Sequence, residues 1–153
     1  MKSHKVIYSY IRDSLSSEIV NRMSKIHEFH PVFIHSNNSI KNFFKKNHPN
    51  VLFADSMSIR KGIFPFHYFQ NKITVDRLII DKLSTFQSNV MGRFEDSTGF
   101  NFSYKQRLNF YYDLLSFWNT VIINLKPELF ISYTWPHVQS DYALYLLCKY
   151  IYN

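Results

Sequence analysis

"KVIYSYIRDSLSSEIVNRMSKIHEFHPVFIHS", residues 5–36, decides the fold. Its two ends, 5–10 and 31–36, are short runs rich in β-branched and aromatic residues, which have strand character. Between them Ile19, Val20, Met23 and Ile26 recur at helical spacing. Ser16 or Ser17 stands where a helix cap is expected, with Glu18 in the first turn. A strand, a helix and a strand joined by short links form a β-α-β unit, whose strands run parallel through a right-handed crossover.

The pattern continues outward. "NSIKNFFKKNH" (38–48) predicts a short helix with Ile40, Phe43 and Phe44 inward, and "NVLFADS" (50–56) a third strand. Residues 57–72 interrupt the rhythm: the segment is aromatic but follows neither period, as a buried irregular stretch or a covering loop would. "TVDRLIIDKLSTFQSNVMGRFE" (74–95) reads as a helix capped by Thr74 or Asp76, followed by the polar link "DSTGFNFS" (96–103). Leu108, Tyr111, Leu115, Trp118, Ile122 and Leu125 then form one stripe of a long helix. Lys126 and Pro127 end it, "ELFISY" (128–133) supplies a fourth strand, and Ser140 is placed to cap the last helix. The expected fold is α/β: a three-layer, doubly wound, Rossmann-like single domain over 1–153. Its parallel sheet has four strands ordered 3-2-1-4, with helices on both faces.

A chain of 153 residues can bury one core, and 46% hydrophobic against 19% charged residues excludes disorder. No apolar run approaches the roughly 18 residues of a membrane span, and the N-terminus is too short in apolar residues for a signal peptide. Cys148 is the one cysteine, which excludes an internal disulfide and a cysteine-cluster metal site. These features read as cytoplasmic. The net charge of +7 favours phosphates, acidic sugars or anionic lipid, yet Lys and Arg scattered over solvated faces are the commoner explanation. Lys41, Lys45 and Lys46 are the densest group, and no nucleic-acid motif accompanies them, so no nucleic-acid partner is expected.

In a 3-2-1-4 sheet the first and fourth strands are neighbours, and ligands of open α/β sheets bind above their carboxyl ends. The first strand delivers Arg12 and Asp13 there, and the fourth delivers Thr134, Trp135, Pro136 and His137. Arg12, Asp13, Thr134, Trp135 and His137 are therefore the candidate substrate-binding residues. His137 is the candidate catalytic group, its imidazole able to act as acid or base near neutral pH. Each also has a structural reading. His137 could bond local backbone, Trp135 could be a lid over the core, and Asp13 could be a turn or cap residue.

Several chemistries find no support. The only glycines, Gly62, Gly92 and Gly99, build no phosphate loop between a strand and a helix, and no cofactor is expected. "HEFH" (27–30) has the wrong spacing for two zinc-binding histidines on one helical face, and no metal is expected. Asp55 ends the third strand where a receiver's phosphoacceptor would sit, but the acidic pair that holds Mg²⁺ is missing from the first strand. The aromatic "GIFPFHYF" (62–69) suits a non-catalytic module that holds a sugar or a partner, although core packing is the commoner use of such residues.

The run Lys126, Pro127, Glu128, Leu129, then Pro136, His137, Asp141, Tyr142, Leu144 and Tyr145 resembles glycosyltransferase-like proteins of bacterial surface and capsule polysaccharide synthesis. It is similar to the N-terminal half of their two-Rossmann-domain (GT-B) architecture, and closely so only over about the last 30 residues. The resemblance implies that this half meets the acceptor and that a second domain binds the nucleotide sugar. It also implies that the chain is a fragment or one half of a longer protein, inactive alone. A glycan acceptor, lipid-linked or reached at a membrane surface, would be the partner.

Overall fold

A computed structural model describes residues 3–98 and 102–152, without the side chains of 94–98. The expected polar link 96–103 and Gly99 fall partly or wholly outside the described residues. The elements are β1 (His4–Ile11), α1 (Ser14–Ile26), β2 (Phe29–Ser36), α2 (Lys41–Asn47), β3 (Leu52–Asp55), α3 (Ser56–Arg60), α4 (Arg77–Thr98), α5 (Tyr104–Leu125), β4 (Leu129–Ser132) and α6 (Gln139–Tyr150). The protein is α/β, and its four strands form one sheet ordered β3-β2-β1-β4 in which every pair is parallel. That is the Rossmann-like arrangement the β-α-β pattern predicts.

The chain separates into two compact units, each assembled from discontinuous stretches. The first comprises Met1–Met57 and Leu125–Trp135, and the second Ser58–Asn124 and Pro136–Asn153.

The first unit is the sheet with α1 and α2. Val6, Tyr8 and Ile11 of β1, Ile34 of β2 and Phe53 of β3 join Val20 and Phe44 from the helices in one buried cluster. Each large side chain removed from water there contributes about 1.5–3 kcal/mol. β1 carries a bulge: register slips between Ser9 and Ile11, and Tyr10 takes φ = +64°. A bulky residue in the left-handed region is strained, and its neighbours hold it there. Ser9 bonds the buried His35 ring at 2.9 Å, and the Ser36 hydroxyl donates to the Ile11 carbonyl.

Helix α1 departs from the expected reading in its cap and in its buried face. Asp13 is the N-cap, in a capping box with Ser16; Ser16 and Ser17 lie inside the helix and are buried. The buried face is Ser16, Ser17, Val20, Asn21 and Ser24, while Ile19 and Ile26 are exposed and Met23 is half-buried. Small side chains let the helix approach closely, and the hydroxyls of Ser16 and Ser17 are satisfied locally by the Asp13 carbonyl. Ile40, in the 3₁₀ turn leading into α2, and Phe44 of α2 are buried as expected, and Phe43 is half-buried.

The second unit contains α4, α5 and α6. Asp76 caps α4, accepting from the Ile79 amide at 2.9 Å. Residues Leu114 to Ile122 of α5 are all buried, which exceeds the predicted single stripe. The Trp118 indole donates to the Ser140 carbonyl at 2.7 Å, and Phe64 stacks on Phe117 at 5.4 Å. The aromatic segment after α3 thus packs against α5, with a short 3₁₀ turn at Phe66–Tyr68. Among the described residues no helix is long and apolar enough to cross a membrane.

Candidate functional site

In the first unit the carboxyl ends of β1 and β4 open beside α1 into a mainly apolar cavity of about 210 Å³. Tyr8 and Ile11 line it from β1, Ile131, Ser132 and Tyr133 from β4, and Ser16, Ile19, Val20 and Met23 from α1. Arg12 turns outward, exposed, with its guanidinium 4.9 Å from the Tyr10 ring centre. Burial pushes the Tyr8 phenol up to about 12, so it stays a neutral hydrogen-bonding group. The Ser132 hydroxyl is buried without a hydrogen-bond partner among the described residues.

The expected residues are distributed as follows. Arg12, Asp13, Thr134 and Trp135 belong to the first unit and adjoin the cavity's lining residues in sequence, though none lines it. Asp13 is occupied by its cap: its carboxylate accepts from the Ser16 amide and hydroxyl, each at 2.7 Å. Those bonds hold its pKa below the ordinary value. Thr134 is half-buried, its hydroxyl without a partner among the described residues. Trp135 is 73% exposed, so the reading of this residue as a core lid is overturned.

His137 belongs to the second unit, with an exposed side chain just ahead of α6. The Arg93 guanidinium donates to its carbonyl and lies 5.0 Å from the Tyr142 ring centre. The cap of α6 is Val138, without a side-chain hydrogen bond; Ser140, expected as the cap, sits within the helix. One turn beyond His137 comes Asp141, whose side chain sequence reasoning did not assign to a site. Asp141 is 0% exposed, and neither carboxylate oxygen reaches a hydrogen-bond donor among the described residues.

Burial pushes the Asp141 carboxyl up to about 6. The nearby His137 charge and the amides of Val138, His137 and Asp141 pull it partly back. The sequence held only a weak signal for the pair, since His137 and Asp141 are four apart but His137 precedes the helix that carries Asp141. Among the described residues no group of three or more His, Cys, Asp or Glu could hold a metal ion.

No protein family matches this chain, and neither curated proteins nor solved structures offer a significant match.

Proposed function

We propose that the chain is the acceptor-side domain of a glycosyltransferase-like protein of bacterial surface-polysaccharide synthesis, working in the cytoplasm. The observation that supports this most is the exposed His137 just ahead of α6 with Asp141 buried in that helix's first turn. An imidazole facing solvent near a carboxylate is suited to take the proton from an attacking hydroxyl. In the proposed step His137 removes the proton from a glycan hydroxyl, whose oxygen attacks the anomeric carbon. The sugar–phosphate bond breaks and the nucleoside diphosphate leaves with the electron pair. A second domain supplies the donor, so this chain alone binds acceptor and transfers nothing.

The test is a titration of the purified protein with polyprenyl-phosphate oligosaccharides, followed through the His137 ring signals. Movement of those signals by glycan, and none by nucleotide sugars, is expected. Nucleotide-sugar turnover by the isolated chain above a His137→Ala control would overturn the reading. The second reading, a non-catalytic module for a sugar or partner, draws on the cavity beside β4. It predicts glycan binding that His137→Ala leaves unchanged.

A further inference from the structure

Large apolar side chains are exposed around one edge of the sheet in the first unit. Leu15, Ile19 and Ile26 of α1 are 69%, 46% and 63% exposed. Leu129, Tyr133 and Trp135, in and just after β4, are 37%, 52% and 73% exposed. A helix that joins two parallel strands runs antiparallel to them, so Leu15 sits towards the Tyr133 end and Ile26 towards the Leu129 end. The cavity connects the two rows, because Ile19 and Tyr133 both line it. The exposed surface of these six residues, backbone and polar atoms included, sums to something on the order of 700 Å², against the 300–600 Å² of the largest contiguous patch on a typical monomer.

β4 is an edge strand, paired only with β1 among the described residues. Its four residues Leu129-Phe130-Ile131-Ser132 carry no charge or proline; the protecting Pro127 and Glu128 lie just ahead of them. We propose that this face, the β4 edge with the α1 row beside it, docks a second copy of the chain about a twofold axis.

Two observations favour a copy over other occupants. The patch is close to the roughly 800 Å² per partner that a stable interface buries. A free strand edge also presents backbone N–H and C=O groups, which another strand can satisfy and lipid cannot. A second β4, antiparallel across a twofold axis, offers the same edge and the same apolar row, as an isologous interface requires. The proposal is independent of the acceptor-side reading.

The test is sedimentation of the purified protein over a range of concentrations. Wild type should form a dimer. Leu15→Glu with Ile19→Glu should weaken it by roughly 100-fold or more, since each copy would bury two unpaired charges. Leu78→Glu, at an exposed position in the second unit, should leave it unchanged. Circular dichroism checks that each variant is folded; if the double variant is not, Leu129→Lys at the strand edge replaces it. A protein that stays monomeric at high concentration, or a dimer indifferent to these changes, overturns the proposal. So does a monomer that binds vesicles of phosphatidylglycerol through Leu15 and Ile19, which would assign the face to membrane.

Discussion

Asp141 is held at a cost that can be measured. Its carboxyl rises from an ordinary value of 3.8 to about 6, so the folded chain binds this proton more tightly than the unfolded chain does. The contribution of this group to stability is therefore most favourable below about pH 4, declines as pH rises through about 6, and is flat above. Asp141→Asn is neutral throughout and should be more stable than wild type by about 1–3 kcal/mol at pH 8. By pH 4 that advantage should have disappeared. Urea denaturation at the two pH values checks this. A residue kept at a stability cost is a reasonable place to look for function, and Asp141→Asn should then lower glycan transfer by the two-domain enzyme that the acceptor-side reading requires. His137→Ala should change stability by less than about 0.5 kcal/mol, as an exposed position does, yet depress transfer by the two-domain enzyme about 10²-fold. Trp135→Ala should also be mild in denaturation, because its ring lies outside the core.

Among the elements, α1 shows what sequence periodicity can and cannot locate. The helix itself was legible from Ile19, Val20, Met23 and Ile26, and the strands on either side from their composition. The side it buries was not. The burial of Ser16, Ser17, Asn21 and Ser24 depends on how closely the backbone can approach the sheet, which a count of apolar residues does not register. The cap lay within the alternatives only as the structural reading of Asp13. Asp13→Ala should destabilise the protein at neutral pH, as loss of a helix cap does. Because folding lowers this pKa, the stabilisation is present above the ordinary carboxylate range and is lost as pH falls through the lowered value. Thermal melts at pH 7 and pH 2 should show the penalty of the substitution shrinking. In α5 the predicted stripe was right as far as it went. Ser116, Asn119 and Thr120 are buried as well, and the last two bond residues 73 and 74, a long-range pairing that no local pattern announces. His137 was legible as an exposed group at a helix start, whereas its neighbour's isolation depends on side chains far away in sequence.

For the molecule as a whole, the strand order was legible because short links and parallel strands leave few alternatives. The division into two discontinuous units was not, since it depends on which segments cluster in space. Amide exchange should reflect the order directly: Val6 to Ser9 of β1, flanked by strands on both sides, should exchange more slowly than residues of β3 or β4 at the edges. The late position of β4 also has a consequence for synthesis. The contact between the His4 ring and the Glu128 carboxylate closes a separation of 124 residues, and β1 meets β4 only after the intervening helices have been made. At about 5–20 residues per second, a ribosome needs roughly 6–25 s to cover that distance. Throughout that interval the nascent chain carries β1 with one side vacant, so the central strand of the finished sheet is the exposed edge of the unfinished one.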